Sequence, residues 1–352
     1  MKKYIILTAI LACLAAGCAK SPASLSTVAT RRYLEAWVHV QKQKHPEYLW
    51  KQTPLGAWIL EDKEGSGKAL GEFGDSTYVR VNFSFSNLDG TISSTTLERI
   101  AKQLGQYNET YYYGPHIWYA KGVYAGLEDA LKGMKPGGRR KVMVPSWLLN
   151  YTRYTTEEEY LAADQSKNGD TGIYDLELVE FFDYVNEWEL DSIGRYLARN
   201  FSKEFGTDAS KARADSSGAH GFYYVQTEAP SDTVTLKDTT VYINYIGRLL
   251  NGKVFDTTIR DTAIFHGIYS ESRTYGPVTV QIGDEWSNTT MGSDSNKIIK
   301  GFARTISKMK SFEKGTGIFY SPIGYGYKGS GSSIPGYSPL RFDVELVAAP
   351  KK

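Results

Sequence analysis

One order of elements runs through this chain twice, and it constrains the fold more than any single motif does. Each half opens on a glycine and an aromatic strand, Gly56-Ala57-Trp58-Ile59 and Gly221-Phe222-Tyr223-Tyr224-Val225. An alternating strand and a turn follow, residues 79–85 with Asp89-Gly90 and residues 241–249 with Asn251-Gly252. Asx-Gly pairs after such strands are hairpin turns. After a long irregular insert comes a short helical stretch, residues 123–134 and 298–309, and each half closes on an alternating strand, residues 174–178 and 342–346. In the last of these Phe342, Val344 and Leu346 face one way and the charged residues the other, as in an antiparallel sheet with one buried face. The expected class is α+β, two divergent copies of one domain in which a sheet wraps on a short helix.

The flanking segments carry separate information. Lys2 and Lys3 precede an apolar stretch, residues 4–16, too short to span a bilayer stably, which ends in Leu14-Ala15-Ala16-Gly17-Cys18. This resembles a bacterial lipoprotein signal in which Cys18 is lipidated and becomes the first mature residue. An ordinary secretory signal with an incidental cysteine is the alternative. Cys13 and Cys18 are the only cysteines, so the mature chain has no thiol for a disulfide, a redox motif or a thiolate metal site. Residues 21–30 read as a tether, and Tyr33, Trp37 and Val40, with Leu34 and Val38 beside them, predict a helix over 28–50 that ends near Pro46. Its amphipathic face either pairs two copies or, as is commoner, packs on its own domain. Ile193, Tyr196, Leu197 and Phe201 mark a second helix before a polar linker. The expected division is a signal peptide over 1–18, tether and N-terminal helix over 19–54, a first domain over 55–183, a helical linker over 184–217 and a second domain over 218–350.

The net charge of +2, with no basic stripe, argues against a nucleic-acid partner. The five histidines are scattered, none at metal-ligand spacing with another His or a Cys, so neither a metal nor a cofactor is expected. Gly329-Ser330-Gly331-Ser332-Ser333 resembles a phosphate loop in composition only and reads as a flexible flap. Tyrosine is frequent, 26 residues beside 7 Trp and 14 Phe, which suits aromatic-lined grooves or strands of high β-propensity.

In the second half the pieces Val241-Tyr242-Ile243-Asn244-Tyr245-Ile246-Gly247, Asn251-Gly252-Lys253-Val254-Phe255-Asp256, Ile298-Ile299-Lys300-Gly301-Phe302, Met309, Tyr325-Gly326, Ile334-Pro335 and Leu340-Arg341-Phe342-Asp343-Val344-Glu345-Leu346 follow one another. In this order they resemble the FKBP-type peptidyl-prolyl cis-trans isomerases over most of residues 218–350. Any one piece is common, whereas the ordered set is specific. The resemblance implies two FKBP-like domains and, in the second, an apolar pocket between helix and sheet. Tyr245, Phe255, Ile299, Phe302, Tyr325, Ile334 and Phe342 would line it, with Ile298 and Val278 beside them. Asp256 would be its one carboxylate, and the Ile299 N–H would receive a substrate carbonyl. Phe302 stands where the family usually has Trp. Residues 257–277 form a long insert where the family has a short loop ending in an aromatic, so Val278, Phe265 or Tyr275 takes that place.

The first half resembles the family less closely. Residues 123–144, with Gly126, Met134 and Pro136-Gly137-Gly138, fit the helix and next strand, and Phe83 falls at the pocket tyrosine. The Phe-Asp pair falls on Ser93-Ser94 and the floor aromatic on Leu127, and residues 146–170 replace the Tyr-Gly segment with a polar insert. The expectation is an FKBP fold whose pocket has lost its chemical groups.

These residue types suit amide rotation. The planar amide is charge-separated and resists twisting by about 18–20 kcal/mol. A dry aromatic cage removes the water that favours the planar form. For Asp256 three roles stand: meeting the carbonyl carbon of the twisting amide, holding Tyr245, or merely capping a turn with Thr257 and Thr258. The expected function is prolyl isomerisation on proline-containing protein substrates in the bacterial cell envelope, the chain being membrane-anchored through Cys18. Non-enzymatic chaperone or interaction modules of the same shape are the alternative, and a sugar-stacking surface lipoprotein a weaker one.

Overall fold

The computed structural model of the protein describes residues 22–163, 171–292 and 296–350. The signal segment and Cys18 lie outside the described residues. Among those described, no helix is long and apolar enough to cross a membrane.

The chain opens with α1 (Pro22–Lys44) and β1 (Lys51–Gln52). The first domain continues with β2 (Trp58–Lys63), β3 (Thr77–Asn87), β4 (Ile92–Thr95), α2 (Glu98–Gln103), β5 (His116–Tyr119), α3 (Ala125–Leu131), β6 (Gly138–Val144), α4 (Glu157–Ala162) and β7 (Gly172–Asp183). Its antiparallel sheet has the order β1-β2-β6-β7-β3-β4, with β5 also on β3. Three helices follow, α5 (Val185–Asn200), α6 (Ser202–Phe205) and α7 (Ala209–Ala214). The second domain contains β8 (Phe222–Glu228), β9 (Thr239–Leu249), β10 (Val254–Thr257), α8 (Arg260–Phe265), β11 (Val278–Ile282), β12 (Thr290–Met291), β13 (Asn296–Lys297), α9 (Lys300–Lys308), β14 (Lys314–Phe319) and β15 (Leu340–Val347). Its order is β13-β12-β11-β9-β15-β14-β8, with β10 on β9. The central run β2-β6-β7-β3 is thus β8-β14-β15-β9 repeated, and the expected α+β class, with one domain plan used twice, is what the chain adopts. Short strands at the edges widen the two sheets to seven and eight strands.

The alternating strands place their apolar residues on the helix-facing side, and in β15 buried and half-buried residues alternate throughout. The short helix lies so close to the sheet that its second residue has no room for a side chain. A Cβ at Gly126 would collide with Val144 and Leu148, and one at Gly301 with the Phe319 ring. Separate cores form around the two helices.

Both inserts turn out to be one structure repeated. Thr95-Thr96, Ala101, Gly105, Tyr107, Glu109 and Tyr113-Gly114-Pro115 recur 162 positions on as Thr257-Thr258, Ala263, Gly267, Tyr269, Glu271 and Tyr275-Gly276-Pro277. In each, a short helix ends on a glycine at positive φ, 67° at Gly105 and 65° at Gly267. The two tyrosines then stack, at 5.4 Å in both domains. The second tyrosine's hydroxyl accepts a backbone N–H, from Asn108 at 3.1 Å and from Ser270 at 3.0 Å.

Two expectations about the flanks need correction. Helix α1 already begins at Pro22, a residue suited to a helix's first turn, so residues 22–30 are helical rather than a loose tether. The packed face of α1 is Leu34, Trp37 and Val38 against Leu60 and Met143, while Tyr33 and Val40 are exposed. The Trp37 indole N–H donates to Leu88 O at 3.0 Å, so this helix packs on its own domain. Further along, the linker helices are part of a core. Ile193 and Leu197 of α5 and Ala212 of α7 pack with Tyr223 and Ile318 on the outer face of the second sheet.

Candidate active site

The register of β9 and β15 builds the site. Tyr245 lies opposite Val344 and Phe342 opposite Gly247. Gly247 has no side chain, and the rings of Phe255 and Phe342 fill the space its Cβ would need, at 2.7 and 3.0 Å. From α9, Phe302 rises to stack on Phe342 with centroids 4.4 Å apart and planes at 22°. Tyr245 tilts against Phe302 at 5.2 Å, and Phe255 meets Phe342 edge-on at 5.7 Å. Ile334 is buried in the same cluster, with Val278, Ile298, Ile299 and Tyr325 packed on it half-buried. The expected residues are therefore brought together from β9, β10, β11, α9, β15 and the loop after β14.

Hydrogen bonds around Tyr245 fix the rim. Its backbone N–H donates to Thr258 Oγ1 at 3.0 Å, and the Thr257 hydroxyl donates to its carbonyl at 2.8 Å. The Tyr245 hydroxyl donates to Asp256 Oδ2 at 2.7 Å. Of the roles open to Asp256, the geometry thus displays the hold on Tyr245. Burial pushes the Tyr245 hydroxyl up, and the Asp256 carboxylate beside it pushes it further, so it stays protonated. Tyr325 is likewise raised, by burial first and by the charge of Asp256 second.

Sequence reasoning missed Arg273. It comes from the insert, ion-pairs with Asp256 Oδ1 and lies 3.4 Å from the Tyr245 hydroxyl. Partial burial works against the guanidinium charge, but its hydrogen bond to Asp256 outweighs this and raises its pKa. Asp256 is therefore a neutralised carboxylate rather than a lone one. The repeat could have pointed to this pair. At the same offset of 162 the first domain has Ser94 for Asp256 and Tyr111 for Arg273, so both charges are replaced together.

Of the three candidates for the vacant aromatic place, Phe265 is excluded because it is 84% exposed on α8. Tyr275 is engaged with Tyr269 and Arg273, and Val278 is the residue packed on the pocket core. The segment after Lys328 is no loose flap. Ser330 and Ile334 exchange backbone hydrogen bonds at 2.8 and 3.2 Å, and Ser332 O accepts the Tyr112 N–H of the first domain at 2.7 Å.

In the first domain the same hydrogen bonds recur, with Phe83 N–H donating to Thr96 Oγ1 at 2.9 Å. Phe85 stands in the place of Gly247, and its ring packs on Tyr174 at 4.8 Å where Phe255 would lie. An aromatic cavity remains there, and no charged residue lines it. Among the described residues no group of three or more His, Cys, Asp or Glu is placed to hold a metal.

A sequence profile described as FKBP-type peptidyl-prolyl cis-trans isomerase matches residues 232–347. A probable FKBP-type peptidyl-prolyl cis-trans isomerase of Haemophilus influenzae is 27% identical over 169 residues, covering 46% of this chain and 59% of that protein. FK506-binding protein 2 of Dictyostelium discoideum is 34% identical over 106 residues, covering 30% and 61%. The structure of FkpA from Escherichia coli covers 51% of this chain and 71% of its own, at 20% identity and a TM-score of 0.30. The chain spans about half the length of the curated relatives it matches. Residues 232–347 of this chain are thus an FKBP-type peptidyl-prolyl cis-trans isomerase domain, of the type found in a family of enzymes.

Proposed function

We propose that the chain is a prolyl cis-trans isomerase whose chemistry lies in residues 218–350, with residues 55–183 as an accessory domain. The observation that carries this is the aromatic cage of Tyr245, Phe255, Phe302 and Phe342, with its one carboxylate already paired to Arg273. A prolyl ring seated on Phe302 and Phe342 leaves water, and its imide loses the solvation that stabilises the planar, charge-separated form. Tyr325 and the Ile299 N–H, at the N-terminal end of α9, are the groups that hold the substrate carbonyls. Asp256, itself paired to Arg273, keeps Tyr245 in place at the rim of the cage. No proton is transferred and no covalent intermediate forms.

The substrates are proline-containing segments of proteins folding in the bacterial envelope, and Cys18 is the lipid attachment site that keeps the enzyme at the membrane. The test is cis-trans exchange in an Ala-x-Pro-Phe-type peptide with protein from Ala19 onward. Asp256→Ala, Tyr325→Phe and Phe342→Ala are each expected to lower kcat/KM by about ten- to a hundredfold, roughly 1.4–2.7 kcal/mol of lost transition-state stabilisation. If all three leave the rate unchanged with the fold intact, the assignment fails. A purely holding role is the second reading, favoured by the first domain's aromatic cavity, which has no carboxylate.

A further inference from the structure

The cavity in the first domain occupies the place between sheet and helix that the candidate active site occupies in the second. It measures about 350 Å³, within the range of small ligand sites. Its walls are Phe83, Trp118, Leu127 and Tyr174, with Trp118 5.2 Å from Phe83. Tyr124 and Tyr151, paired at 4.8 Å, form one lip. The other lip comes from the second domain, as Tyr327 and Tyr337. Half of its twelve lining residues are tyrosines and none is charged.

The second-domain lip is held in an unusual shape. Tyr337 adopts φ +58°, a conformation costly for a bulky residue, and its N–H donates to Gly326 O at 2.9 Å. This turns its ring edge-on to Tyr78 of the first domain, at 5.3 Å. One segment therefore serves two pockets, with Tyr325 and Ile334 facing the aromatic cage and Tyr327 and Tyr337 facing the first-domain cavity. Tyr325 and Tyr327 are two residues apart, a span of at most about 7 Å.

We infer that this cavity is a second, non-catalytic binding site for the same client chain, taking an uncharged segment with prolyl or aromatic side chains. The inference rests on the isomerase reading of the second domain. Aromatic faces with hydroxyls at their edges suit extended proline-bearing segments, whose rings stack while their carbonyls accept from tyrosine. The lack of charge in the lining disfavours acidic and basic segments, since either would be desolvated without a partner. A chain leaving the cage passes over the shared segment into the cavity, so the two sites act as a bivalent hold.

The test uses the whole chain from Ala19 and two capped peptides with the same X–Pro bond. One is a tetrapeptide; the other carries an additional uncharged tail of about fifteen residues containing Pro and Tyr. The long peptide is expected to show about tenfold higher kcat/KM, through effective concentration. Tyr151→Arg, at a position 81% exposed and so tolerant of change, should abolish the advantage while leaving the tetrapeptide rate unchanged. Tyr327→Arg should do the same to binding of the fluorescent tail alone, read by anisotropy. Equal acceleration of both peptides by the unaltered chain, or an advantage that survives Tyr151→Arg, would overturn the inference. So would tail binding that is absent while a soluble oligosaccharide binds. If neither peptide is accelerated but the tail binds and Tyr151→Arg abolishes binding, the isomerase reading fails and the second site stands.

Discussion

Glu189 gives the sharpest test of how the two domains are joined. It lies on α5, wholly buried, and accepts the Ser321 N–H and the Ser321 hydroxyl, each at 2.6 Å. Among the described residues no cation pairs with it. Burial pushes its carboxyl from 4.5 up to about 7, against the opposing pull of the two Ser321 hydrogen bonds. Between those values the folded protein keeps a proton that the unfolded chain has released. The stabilisation is thus complete below pH 4.5, falls as pH rises, and is gone above about pH 7. At 1.36 kcal/mol per pH unit, this loss is about 3 kcal/mol. Glu189→Gln cannot ionise, yet its amide oxygen accepts the Ser321 N–H and its NH₂ donates to the Ser321 hydroxyl. Urea unfolding at pH 5, 6, 7 and 8 should show the variant equal to the parent at pH 5 and about 2–3 kcal/mol more stable at pH 8. The same pH slope in both proteins, or a variant weaker at pH 8, would refute the reasoning.

Two further predictions concern packing. Gly247→Ala should leave the chain folded but lower kcat/KM on the tetrapeptide by about tenfold, roughly 1.4 kcal/mol, because its Cβ displaces the rings of Phe255 and Phe342; an unchanged rate would mean the cage is not the site. A fragment from Tyr184 should fold, whereas one from Ser216 uncovers Tyr223 and Ile318. At about 1.5–3 kcal/mol per large apolar side chain, the shorter fragment should be several kcal/mol less stable, and equal urea midpoints would show that α5 is dispensable.

The family resemblance pointed to the cage residues, and strand and helix geometry is the reason they converge. Alternation along residues 241–249 and 340–347 turns Tyr245 and Phe342 to one face, and Phe302 follows from the helix that Gly301 lets approach. The hydrogen bonds shared by Phe83 and Tyr245 show the correspondence between halves to be one of backbone structure. The repeat within the inserts, read from sequence as irregular, is present there as a run of identities at constant offset.

What lay beyond the sequence is every feature whose partners are tied by no local spacing. Arg273 pairs with Asp256 because the insert doubles back on its stacked tyrosines. Glu189 and Ser321 meet because α5 packs on the far side of the second sheet. Tyr327 and Tyr337 complete a cavity whose other walls lie more than 150 positions earlier. Periodicity reports which face a residue takes within its own element. Which element then covers that face depends on the packing of two domains against each other, and that free energy is summed over many weak contacts that no short motif encodes.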